Sequence, residues 1–199
     1  MPIDVFKTTG DDTQLNTKLI TNGLTMKKYL LAFSIACLTL LGGCAGSKVS
    51  SLSPNDSGPK PIIKTIAMNP GGALMSDAVA TELSNKGFVV IDSAATSNLM
   101  IRLNLTEIEI ARPEGLQKFK AKGIDALLTV KAAASQFDGL PDSATARMVD
   151  TSTGKVLAAV NWQNGWAGAA GSPASRMMRS GLQEASSEMA NALALRIQQ

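Results

Sequence analysis

Two cysteines, two tryptophans and a scatter of carboxylates are the side chains with the most chemistry to offer in this 199-residue chain, which has no histidine. Without histidine the commonest general base and metal ligand is missing. Ser-His-Asp and Cys-His arrangements are therefore excluded, as is a zinc site of the usual His/Cys kind. A hydrolase would have to work through carboxylates such as Asp92 and Asp125 as acid and base. Asp138, Asp142 and Asp150 gather around turns without the ligand spacing of a calcium loop. Turn aspartates that bond their own backbone account for them, so no metal is expected. The stretch "MNPGGALMSD" sets glycines between a strand and a helix N-terminus, where backbone N–H groups can cradle a phosphate. Neither phosphate-binding glycine signature is present, so a tight turn is the expectation and no cofactor is inferred. Trp162 and Trp166 lie in "NWQNGWAGAAG". Aromatics beside flexible glycines can anchor a partner or dip into a membrane interface; the competing reading of Trp162, at a strand end, is core.

Both cysteines lie in or beside the most apolar run of the chain. Lys27 and Lys28 precede about 13 apolar or small residues, Tyr29 to Leu41, followed by Gly42, Gly43 and Cys44. A membrane-spanning helix needs roughly 20 apolar residues. A basic pair, a short apolar stretch and small residues before a cut are the layout of a secretory signal. Leu41-Gly42-Gly43-Cys44 resembles the lipobox of bacterial lipoproteins. That resemblance implies cleavage between Gly43 and Cys44 and attachment of acyl chains such as palmitate to the Cys44 thiol. Cys37 would leave with the signal, so the mature chain would have no internal disulfide. Residues 1–25 are polar and do not fit before such a signal, and are read as a non-native or mis-assigned extension, with translation starting at Met26. The expected organisation is a signal peptide at 26–43, a flexible Ser/Gly/Pro-rich tether at 44–60 and one domain at 61–199. The net charge of +3 is too small to argue for nucleic acid.

The domain should be α/β (α+β) with a mixed sheet. "PIIKTIAM" reads as a strand. Met75, Val79 and Leu83 set a helix through Lys86, with Gly87 as its stop, and "FVVID" is a second strand. Strand, helix, strand over about 30 residues makes a parallel, right-handed βαβ unit, with Val79 and Leu83 expected against Val89 and Ile91. Residues 99–110 are open between a strand, from the alternation of Ile101, Leu103 and Leu105, and a helix from Leu99. Pro113 opens a short helix with Leu116 and Phe119 inward and Lys118, Lys120 and Lys122 solvated. "IDALLTVKA" is a third strand, and "SATARMVD" and "KVLAAVNW" flank "TSTG" as a hairpin. Ser172 and Pro173 should start one long final helix, with Met178, Leu182, Ala185, Met189, Leu193 and Ile197 as its apolar stripe and Arg176 and Arg179 on its solvated face.

The order strand, "SDAVATEL" helix, "GFVVID", "GIDALLTV", "MVDTSTGKVLAAV" hairpin and last helix is similar to the α/β domain of curli-secretion-channel-type lipoproteins. The amino-terminal domain of the Tol-system propeller protein and the lipoprotein activator of penicillin-binding proteins have related folds. The resemblance implies a non-enzymatic protein-binding or assembly module of the cell envelope, rather than the carboxylate-based periplasmic hydrolase that is the alternative. Its partners would be the bilayer, through Cys44, and envelope proteins; a homo-oligomer is compatible with it. Ala45 after the cysteine, where aspartate would retain a lipoprotein at the inner membrane, implies the outer membrane, with the domain facing the periplasm. The polar–apolar alternation needed for membrane-spanning hairpins is absent, so no pore is expected.

Overall fold

In the computed structural model, residues 46–52, 61–134, 139–165 and 172–198 are described. They belong to a compact unit spanning Ala45–Gln199. The elements are β1 (Lys48–Leu52), β2 (Thr65–Met68), α1 (Ala73–Asn85), β3 (Val89–Ile91), α2 (Ser93–Arg102), α3 (Glu107–Ile110), α4 (Pro113–Lys120), β4 (Ala126–Ala134), β5 (Pro141–Asp150), β6 (Val156–Gln163), α5 (Pro173–Met178) and α6 (Leu182–Gln198). The strands form one mixed sheet in the order β1-β6-β5-β4-β2-β3. β2 runs parallel to β3 and β4; the remaining pairs are antiparallel.

The two faces of the sheet are covered unequally. On one face α1 and α6 pack over Ile66, Met68, Leu128, Val130, Met148, Val160 and Trp162. On the other, α2, α3 and α4 cover only the parallel half, closing over Ala67, Leu127 and Ile124 with Met100, Ile110, Leu116 and Phe119. The βαβ opening is as expected, and the left-handed φ of +90° at Gly87 stops α1, at little cost to a residue without a Cβ. The partners of α1 differ from the expectation by one residue of register. Val79 and Leu83 are buried beside Phe88 and Val90, whereas Val89 is 61% exposed and Ile91 packs on the opposite face. Successive strand side chains alternate between faces, so Val90 alone of the three β3 residues can meet α1.

Two further expectations are corrected, and the open assignment of residues 99–110 is decided. Residues 48–52, read as tether, form an edge strand against β6, with Val49 opposite Trp162. Residues 99–110 are helical with a turn between. Asp92 caps α2 by accepting a bond from the Ala95 N–H, and Thr106 and Glu109 form a reciprocal capping box that starts α3. The final helix is broken at Arg179–Gly181, so Met178 leaves the apolar stripe and is exposed, while Ala185, Met189 and Leu193 on α6 are buried as expected.

Candidate functional site

The carboxylates available for acid–base work serve the backbone. Asp92 is the α2 cap. Asp125 accepts from the Lys64 and Thr65 N–H groups at 3.0 Å each and pairs with Lys120 at 2.9 Å. Burial by itself would raise the Asp125 pKa; the bonds from Lys120, Thr65 and Lys64 outweigh it and hold the carboxyl below its ordinary value. Asp150, buried at the β5–β6 turn, follows the same pattern. Burial pushes its pKa up, but bonds from Ser152 and Thr153 push it down further. Both are anions at neutral pH and poorly poised as proton donors. Asp142 pairs with Arg179, and Asp138 lies outside the described residues. Among the described residues no cluster of carboxylates could hold a metal ion, and no helix is long and apolar enough to cross a membrane.

The glycine stretch after β2 lines a cavity of about 210 Å³ with Asn69, Glu107, Thr129, Val130 and Lys131. Two of its polar side chains, Asn69 and Thr129, are already engaged with each other. Asn69 donates its backbone N–H to the Leu128 carbonyl at 2.8 Å and its side-chain amide to Thr129 Oγ1 at 3.2 Å. A Cβ on Gly72 would lie 2.4 Å from Ser76 Cβ and 3.0 Å from the Val130 carbonyl oxygen. Close packing of α1 on β4 therefore explains the glycine, and the tight-turn reading stands.

Trp162 is not a surface residue. It is fully buried, and its Nε1–H donates to Glu188 Oε2 at 2.6 Å. An indole facing α6 needs a partner for that N–H, and Glu188 supplies it. The same carboxylate accepts from the Ser47 hydroxyl, at 2.7 and 2.6 Å to its two oxygens. Arg196 Nε donates to Ser51 Oγ at 3.0 Å, so α6 holds β1 at both ends of the strand. Trp166, Gly43 and Cys44 lie outside the described residues. The base of the Trp166 loop is well fixed. Asn164 donates to the carbonyls of Pro141 and Ser180 at 2.6 and 2.9 Å, and accepts from the Gly165 and Ser180 N–H groups at 2.9 Å each. Arg179, placed on a solvated face by the sequence reading, is mostly buried here, bonded to Pro141 O and Asp142. Lys118, Lys120 and Lys122 are exposed, as read from the sequence; from that face Lys118 donates to the Leu103 carbonyl and Lys120 to Asp125.

What the sheet presents outward is a feature that sequence reasoning missed. Where α2–α4 stop, the second face of β1, β6, β5 and the end of β4 carries three cross-strand rows. They are Leu52-Ala159-Arg147-Thr129, Ser50-Asn161-Thr145-Lys131 and Lys48-Gln163-Ser143-Ala133. None of these twelve positions is buried, three carry cations and none carries an acid. The signal was present in the alternation of β5, whose odd positions Ser143, Thr145 and Arg147 are polar, but it became a surface only when β1 joined β6.

No family model matches the chain, and no curated protein matches it. Solved structures do. A PelC dodecamer from Paraburkholderia phytofirmans is similar at a TM-score of 0.47 and 16% identity, over 77% of this chain and 99% of that one. The lipoprotein GNA1162 from Neisseria meningitidis is similar at 0.39 and 21%, over 56% and 86%. TolB from Acinetobacter baumannii is similar at 0.42 and 16%, over 76% of this chain and 30% of its own.

Proposed function

We propose that the protein is a non-enzymatic envelope lipoprotein, anchored in the outer membrane through acylated Cys44, whose periplasmic domain binds other proteins. The observation that carries the reading is the open half of the sheet. Strands about 4.8 Å apart, rising about 3.3 Å per residue, make a patch on the order of 300–400 Å² there. A standard protein interface covers about 800 Å² per partner. The patch is therefore the centre of a contact rather than all of it, and the loop Gly165–Ser172 with Trp166 is the candidate extension. The cations Lys48, Lys131 and Arg147, unopposed by acids on the same face, favour a partner surface carrying carboxylates. The anchor rests on the sequence motif, and the carboxylates spent on caps and turns favour binding over hydrolysis.

Photo-crosslinking in intact envelopes tests this. A crosslinking side chain at Thr145, in the centre of the open face, should capture an envelope protein, and Trp166→Ala should reduce the yield without changing the melting temperature much. The same group at Thr81, exposed on α1, should not capture it. Equal capture from both positions would reject the face.

A further inference from the structure

We propose that the domain is seated on the bilayer rather than held off it, with the sheet end that carries Ser47 and Lys48 against the lipid headgroups. The inference rests on acylation of Cys44 and adds the domain's placement. The leash is short. Ser47 is already bound to Glu188 of α6, and the strand that begins at Lys48 is paired to β6. Only three peptide steps separate Cys44 from Ser47, at most about 11 Å of extended chain. A lipidated cysteine on such a leash brings the near end of the sheet to the depth of the headgroups.

The strand register shows what else lies at that end. Lys48 pairs with Gln163, Ser143 with Gln163, and Ala134 with Pro141. The start of β1, the end of β6, the end of β4 and the start of β5 are therefore at one level. Arg179, bonded to Pro141 and Asp142, and Ser180, bonded to Asn164, bring the end of α5 to the same place. The residues just before them, Met177 and Met178, are 86% and 47% exposed. Two adjacent exposed methionines are an unusual surface in water but a fitting one at an interface, where flexible thioether chains enter the acyl boundary. Lys48, at the same level of the sheet, suits anionic headgroups. The opposite sheet end, with Lys122 before β4 and Ser152 and Thr153 in the β5–β6 turn, also exposes Leu52 and Ile62, so the short leash, and not apolar exposure, selects which end meets the bilayer. The occupant of the methionine patch is thus a phospholipid surface. The open sheet face, set roughly along the bilayer normal, stays accessible from the periplasm.

The mature lipoprotein loses Cys37 with its signal, so a single introduced cysteine can be labelled once Cys44 is acylated. Full-length Met177→Cys and Lys122→Cys variants would be labelled with a fluorophore and placed in vesicles of phosphatidylethanolamine and phosphatidylglycerol containing a nitroxide lipid. Mass spectrometry of Cys44 is run on the same samples. With Cys44 acylated, quenching at position 177 should be several times that at 122. Equal, weak quenching at both positions with Cys44 acylated would overturn the seating and leave the anchor standing. Shielding at 177 that appears only when envelope proteins are added would assign the patch to a protein and also overturn it. A Cys44 found unmodified would remove the anchor and the seating together.

Discussion

At the scale of residues, the Glu188 carboxylate joins three parts of the molecule: the Trp162 indole, the Ser47 hydroxyl and its own helix. Trp162→Phe keeps most of the apolar volume but leaves that carboxylate without its indole donor. It should cost about 1–3 kcal/mol, against about 3–5 kcal/mol for Trp162→Ala, measured by denaturant unfolding. A Trp162→Phe cost near zero would mean that the bond contributes nothing. A pH scan isolates the turn carboxylate. The folded pKa of Asp150 lies below its ordinary value, so its contribution to stability is fully present above the unfolded pKa of about 3.9. It is lost as pH falls through the lower, folded pKa. Asp150→Asn should flatten the acid limb below about pH 4 and lower stability at pH 7. The anchor prediction belongs at this scale too: Cys44→Ser should abolish metabolic fatty-acid labelling, and persistent label in that variant would reject Cys44 as the site.

At the scale of elements, one pair of substitutions separates the observed βαβ register from the alternative. Leu83→Ala should cost about 2–5 kcal/mol because the side chain is fully buried. Val89→Ala, at an exposed edge position, should stay within about 0.5 kcal/mol. Comparable losses at both sites would restore the expected register. The elements legible in the sequence were those built from local signals, such as the Met75-Val79-Leu83 spacing, Gly87, Pro113 and the TSTG turn. Those that were not legible depend on distant partners or on competing local patterns. "KVSSL" is polar and sits among serines and prolines; only pairing with Val160 and Trp162 makes it a strand. In residues 99–110 the alternation of Ile101, Leu103 and Leu105 imitates a strand. There the side-chain caps of Asp92 and Thr106 decide for helix, and the Thr106-x-x-Glu109 spacing was the readable sign. The break before α6 was marked only by Gly181, while the partners that hold the broken segment, Asn164, Pro141 and Asp142, lie elsewhere in the chain. Asn164→Ala should remove four bonds and speed proteolysis inside 165–172, with a smaller change in the global transition.

At the scale of the whole molecule, the sheet has two edges and treats them differently. β3 is three residues long, and shortness is itself a protection against edge-to-edge pairing. The other edge belongs to β1, and beneath it lies the eight-residue β6. A chain beginning at residue 61, the boundary suggested by composition, would uncover β6 along its length and strip the Ser47 contact from Glu188. Such a truncation should self-associate, visible as concentration-dependent light scattering, whereas the chain from residue 46 should not. A monodisperse 61–199 fragment would show that β1 is dispensable. The candidate site was legible only in part for the same reason: the polar alternation of β5 can be read locally, but a four-strand face needs β1.

The placement of β1 also imposes an order in time. The Ser47–Glu188 contact spans 141 positions in sequence, and the partner strand ends only at Gln163. Whatever reaches the periplasm first, the stretch beside Cys44 has nothing to pair with until the β5–β6 hairpin and α6 have followed, and contacts of such long separation form slowly. The earliest part of the domain to be made is thus the last to be locked. In pulsed hydrogen exchange the β1 amides should gain protection after those of β4 and β5, so that the chain keeps a loose lead end through most of its folding.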